Sequence, residues 1–249
     1  MQNLIEKLND PDSIAAFRAR QSILFECYKA MAGDRSARKA ELARTLADAL
    51  QATITIEPPP DKKNAKPEVR PKYDRSTRIQ LIEYLALVGG EAEVQPLAKL
   101  LHDLELREPA RRALDAIGSP AATAALIAAL DRCGPEFRIG VINTLARRGG
   151  QEAAAALRNL ADDPDPQVRL AAIEALACFP VAGHQEILMK AYRTETPAGR
   201  DRIARACLRL AERLRDAGDK ANARRIYQTI PHESPAQRQA AEAVLKTLH

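Results

Sequence analysis

The chain has 249 residues, of which 47 are alanine and 28 leucine, against 23 valine plus isoleucine and no tryptophan. Alanine and leucine lose little freedom in a helix whereas β-branched residues fill strands, so the composition speaks against a sandwich, a barrel or a parallel-sheet enzyme and for an all-α fold. The net charge of +5 is unevenly placed: residues 1–196 hold 27 basic and 27 acidic residues, and residues 197–249 hold 11 and 6.

Residues 1–13 contain no apolar run of the kind that opens a secretory signal. The longest uncharged stretch, 116–130, is interrupted by Gly118 and Pro120 and is too short to span a bilayer. Cys27, Cys133, Cys178 and Cys207 lie far apart, with no C-x-x-C. A cytoplasmic protein without membrane association is expected. Pro11-Asp12-Ser13 reads as the start of a helix running to about Met31, and Ser36–Ala52 as its partner, so residues 1–52 form an N-terminal capping hairpin. Residues 53–75 hold five of the sixteen prolines, and Pro58-Pro59-Pro60 excludes helix or central strand, so this segment is expected to be a long Pro/Lys-rich loop.

From residue 76 a repeat governs the pattern. An arginine is followed by leucine seven residues on and by a glycine or proline break eleven residues on: Arg78, Leu85 and Gly89; Arg107, Leu114 and Gly118; Arg138, Leu145 and Gly149; Arg169, Leu176 and Pro180. The arginines are 29, 31 and 31 residues apart; a further 31 reaches Arg200, with Cys207 at the leucine place, and 38 more reaches Arg238, with Leu245. Each unit reads as two helices. Gln167–Cys178 shows a helical apolar stripe, Gly89-Gly90 and Gly149-Gly150 supply turns, and Ala92–Leu101, Ala121–Leu130 and Glu152–Ala161 are the second helices. Neither helix can bury its apolar face alone, and stacked pairs can, which makes the chain an α-solenoid. The regular repeats cover 76–196. Residues 197–249 form a basic, enlarged last unit with Gly218-Asp219 at its turn, resembling a tetratricopeptide-type hairpin, and a closing helix over Gln237–Leu248.

The segment Asp163–Pro180, DPDPQVRLAAIEALACFP, resembles the HEAT repeat in the short form of phycobilin-lyase-like HEAT proteins. The resemblance covers residues 76–196 well and 197–249 loosely. It implies one domain: a right-handed α-α superhelix of about six helical hairpins, with the second helices on the concave side, acting as a binding scaffold. HEAT-like hydroxylases bind iron through several His-Glu dipeptides, and only His232-Glu233 has that form here. HEAT-like glycosylases need an aromatic pocket, and the nine Phe and Tyr are scattered, with Phe25, Tyr84 and Phe179 at core places. No G-x-x-x-x-G-K-[ST], G-x-S-x-G or H-E-x-x-H occurs. Cys178 and Cys207 read as buried thiols, and Cys133, in a turn, as the one reactive candidate. No catalytic residue, metal or cofactor is therefore expected.

Each ladder arginine has an acidic residue shortly before it, as Asp103 before Arg107 and Asp163 before Arg169, so stacked Asp–Arg pairs between neighbouring repeats are expected. Function then rests on binding. Arg224 and Arg225, on the second helix of the basic hairpin, together with Arg158 and Lys190, are the candidate binding residues. The expected partner is a protein or peptide of acidic character, with nucleic acid or another polyanion at the basic C-terminal hairpin as the alternative.

Overall fold

A computed structural model describes residues 1–32, 36–56, 66–230 and 235–246. It contains fourteen α-helices among the described residues, in two compact units, Met1–Ala129 and Leu130–His249. In the first unit these are α1 (Gln2–Glu6), α2 (Ser13–Met31), α3 (Ser36–Gln51), α4 (Arg75–Val88), α5 (Val94–Lys99), α6 (Arg107–Ile117) and α7 (Pro120–Ala129), with strands β1 (Thr53–Ile56) and β2 (Glu68–Pro71) between α3 and α4. In the second they are α8 (Pro135–Arg148), α9 (Gln151–Asn159), α10 (Pro166–Leu176), α11 (His184–Thr194), α12 (Pro197–Asp216), α13 (Lys220–Thr229) and α14 (Pro235–Leu245). From α2 to α13 the helices run as six consecutive pairs, three in each unit, and α14 follows the last. The architecture is all-α, as the composition implies. The sequence alone reads as one domain; the division into two units follows from a repeat chain in which each pair packs mainly on its neighbours rather than into one common core.

Local chemistry sets the helix starts. Asp12 accepts from the Ile14 amide at 2.9 Å, Asp74 from Thr77 at 2.7 Å and Asp219 from Asn222 at 3.1 Å, each satisfying an amide that the helix leaves unpaired. Pro135, Pro166 and Pro197 open α8, α10 and α12, where a missing N–H costs nothing. They place Arg138, Arg169 and Arg200 at the fourth position of each helix. Seven residues further, Leu145 and Leu176 are fully buried, as are Leu85 and Leu114 in the first unit, and Cys207 is 1% exposed. Leu245 is only half-buried, since α14 ends the series of pairs.

The turns divide into two kinds. Gly149 and Gly150 have φ of +74° and +91°, a backbone that favours glycine. Gly89 does not: its φ is −60°, and glycine is needed there because a Cβ would meet the Leu85 carbonyl oxygen at 2.5 Å.

Three expectations are corrected. The 53–75 segment is not wholly loop, since β1 and β2 pair antiparallel with Thr53 opposite Pro71 and Ile56 opposite Glu68. The alternating Thr-Ile-Thr-Ile of β1 carries that ladder, and Pro71 stands at its end, where proline is tolerated. Residues 57–65, with Pro58-Pro59-Pro60, lie outside the described residues, as do His232-Glu233. Phe25, assigned to the core, is 61% exposed, whereas Tyr84 and Phe179 are buried as expected. The cysteines exchange roles: Cys133 is 8% exposed and buried, and Cys178 is half-buried. Burial pushes the Cys27 thiol up to about 11 and Cys207 up to about 12, leaving neither a thiolate near neutral pH.

Candidate binding cleft

In each unit one ladder arginine reaches the acidic residue that precedes the next repeat. In the first unit Arg78 lies 3.9 Å from Asp103. In the second Arg138 lies 2.8 Å from Asp163 and also donates to the Cys133 carbonyl at 3.1 Å. Each arginine–aspartate step spans 25 residues. Asp163 is 8% exposed and accepts from the Asp165 amide as well, so one carboxylate both shapes the start of α10 and binds the previous repeat. Asp103 does the same with the amides of Glu105 and Leu106.

The next step differs. Counting 25 residues from Arg169 reaches Thr194, with Glu195 beside it. Arg169 donates to the Asp163 carbonyl at 2.7 Å and, among the described residues, pairs with no carboxylate. Arg169, Thr194 and Glu195 instead line a cleft of about 200 Å³. Arg158, near the end of α9, and Lys190, on α11, stand on the same cleft, and Ile173 and Ile187 give it an apolar lining. Two of the candidate residues chosen from sequence, 32 positions apart, are thereby brought together. Arg169 and Glu195 were missed as a site. The signal was present, because the repeat register puts a threonine where the preceding step has its aspartate.

Lys190 lies 3.4 Å from Asp162, with both side chains about four-fifths exposed. An ion pair so hydrated contributes little and exchanges readily for another carboxylate. The cleft thus offers three cations against Asp162 and Glu195. Its volume is below the roughly 300–1,000 Å³ of small-molecule sites, a size suited to one or two side chains of a partner rather than to a cofactor.

Arg224 and Arg225 do not line this cleft. Both are on α13, where Arg225 is exposed and Arg224 half-buried. Gln185, at the start of α11, donates to Thr229 at the end of α13 at 3.0 Å. Lys190 and Thr194 belong to the opposite end of α11, nine residues or about 13 Å from Gln185 in the case of Thr194. A second opening in this unit, of about 640 Å³, is formed by the first helices α8, α10 and α12, with Arg147, Arg209 and Arg213 around Glu174 and Cys178. Glu174 is held in a two-pronged pair by Arg202, at 2.7 and 2.6 Å.

Among the described residues no group of three His, Cys, Asp or Glu is placed to hold a metal ion. No described helix is long and apolar enough to cross a membrane.

The family model of HEAT repeats matches residues 124–209. This segment is similar to HEAT repeats. All the residues of the cleft fall inside the matched segment. No curated protein matches the chain in sequence. Among solved structures, Mini spindles TOG3 of Drosophila melanogaster is similar with a TM-score of 0.51 at 14% identity, over 83% of this chain and 92% of that one, a likeness of fold. The complex of CpcE and CpcF of phycocyanin lyase from Nostoc sp. PCC7120 gives 0.44 at 16% identity, over 100% and 94%. A designed armadillo repeat protein in complex with the peptide (KR)4 gives 0.34 at 16%, over 99% and 98%.

Proposed function

We propose that this chain is a non-enzymatic scaffold that binds another protein, and that the cleft between α9, α10 and α11 receives an acidic side chain of that partner. The observation that supports it is the interruption of the ladder at Arg169: its guanidinium, whose counterpart Arg138 pairs with Asp163, faces an opening sized for a side chain together with Arg158 and Lys190. Preformed repeats present such a surface with little ordering cost on binding. The test is titration of the full chain with an Asp/Glu-rich peptide, against the double substitution Arg158→Glu/Lys190→Glu. The expected result is a loss of about tenfold or more, with a flattened salt dependence, since exposed charges are screened over about a Debye length. Undiminished binding by the variant rejects the cleft.

A second reading, polyanion binding, is favoured by Arg147, Arg209 and Arg213 around the opening on the first helices. It predicts that single- or double-stranded DNA binds with a steep salt dependence and that Arg209→Glu/Arg213→Glu abolishes the binding.

A further inference from the structure

The first unit carries an apolar surface that the cleft does not use. Five of the nine large hydrophobic residues exposed among the described residues are on α2: Ile14, Phe17, Phe25, Tyr28 and Met31, each 49–61% exposed. At 100° per residue they fall within one arc of about 120° that runs about 26 Å along the helix. The opposite arc holds Ala16, Ala19, Ile23, Cys27 and Ala30, which are buried in contact with the rest of the unit. The helix therefore has two apolar faces, and the outer one holds the larger side chains. With aromatic side chains contributing about 150–250 Å² each when fully covered, half-exposed residues of this number amount to roughly 500 Å². That is at the upper end of the largest patch on an ordinary monomer, and with the flanking charges it approaches the about 800 Å² per partner of a specific interface.

The borders of the stripe are basic. Arg18 and Lys29 follow one edge and Arg20 the other, all by helical register. Arg18 and Arg20 are exposed and, among the described residues, form no ion pair. Lys29 stands 5.1 Å from the Phe25 ring centroid. The one acidic residue of α2, Glu26, is committed to Lys29 and Arg38, whose hydrogen bond holds its carboxyl below the ordinary range. A second copy of α2 would set these cations against themselves. Gln21, by register in the middle of the stripe, interrupts its apolar surface with an exposed amide that a protein partner can hydrogen-bond.

We propose that this face of α2 docks an amphipathic helix of a partner protein whose apolar ridge is bordered on both sides by aspartate or glutamate. The site is independent of the cleft in the second unit, and its test uses different residues. The probe is a labelled synthetic helix of about five turns, with leucine along one ridge and glutamate on both borders, and a companion in which lysine replaces each glutamate. Fluorescence anisotropy with the full chain should show the glutamate-bordered helix binding at least about tenfold more tightly than its companion. Phe17→Ser/Phe25→Ser should lose at least about tenfold of that affinity with thermal unfolding unchanged, and Arg18→Glu/Arg20→Glu should reverse the preference between the two helices. Equal affinity for the two helices, or wild-type affinity in the phenylalanine variant, overturns the proposal. So does binding to vesicles of phosphatidylcholine and phosphatidylserine, or dimerisation on raising the protein concentration, if the phenylalanine variant abolishes it, because the face then belongs to a membrane or to a second copy.

Discussion

Helices α2 and α10 use apolar residues in opposite ways. Helix α10 packs against α8 and α12, and its two flanking second helices, and buries Val168, Leu170, Ala171, Ala172, Ile173, Ala175 and Leu176. Helix α2 packs against α1, α3 and α4, buries four small residues with Ile23, and turns its phenylalanines outward. In α10 the bulky side chains supply cohesion, since burying a leucine or isoleucine is worth about 1.5–3 kcal/mol. In α2 the small residues allow close approach of the helices and the bulky ones remain on the surface. Side-chain size and burial are therefore uncoupled in α2.

This difference is tested most strongly in the cores. Leu145→Ala and Leu176→Ala should each cost about 2–5 kcal/mol in urea unfolding, because both leucines are fully buried. Phe25→Ser, a larger truncation, should stay within about 0.5 kcal/mol. A comparable loss from Phe25→Ser would show that the outer face of α2 is structural.

The next contrast lies between two neighbouring carboxylates. Asp163→Ala removes a buried acceptor and leaves Arg138 short of its partner, and is expected to cost about 1–3 kcal/mol. Asp162→Ala breaks only the exposed pair with Lys190 and should stay below about 0.5 kcal/mol. Equal effects in denaturant titrations would place the ladder at the surface.

A smaller, pH-dependent effect comes from His184. Its ring is 1% exposed, and Nδ1 lies 2.9 Å from the Leu176 carbonyl oxygen, the separation of a hydrogen bond. Burial lowers its affinity for a proton from the ordinary value of 6.5. The unfolded chain therefore takes up a proton first as pH falls. The contribution of this group is complete above about pH 6.5, declines below it, and levels once the folded state also protonates. Chemical unfolding of the wild type and His184→Gln between pH 7.5 and 5 should show the steeper decline in the wild type; parallel curves would remove His184 from the pH dependence. The smallest effect is expected from Arg225→Glu, a change on an exposed part of α13, which should alter stability by less than about 0.5 kcal/mol.

Much of the fold was legible in the sequence because its signals are local. Asp12 starts α2, Gly149-Gly150 turns with positive φ, and the residue seven places after each ladder arginine is buried from Leu85 through Cys207. The Asp–Arg steps at Arg78 and Arg138 were also legible, since a fixed repeat carries a matching residue pair to the same spatial relation wherever both residues are present. The site was legible only in part. Arg158 and Lys190 were singled out by charge, while their meeting with Arg169 depends on how α9, α10 and α11 stack. Cys133 and Cys178 exchanged roles for the same reason: each belongs to a helix terminus or a turn, where periodicity no longer tells inside from outside.

The order of helices, their caps and the repeat register are thus properties of the sequence itself, because each depends on residues within a few turns of one another or on a fixed period. Tertiary structure decided which of the two apolar faces of α2 is covered, where the ladder of carboxylates is interrupted, and which thiol is half-buried. Those outcomes depend on the neighbouring elements that arrive from distant parts of the chain, and burial is settled by the neighbour as much as by the residue.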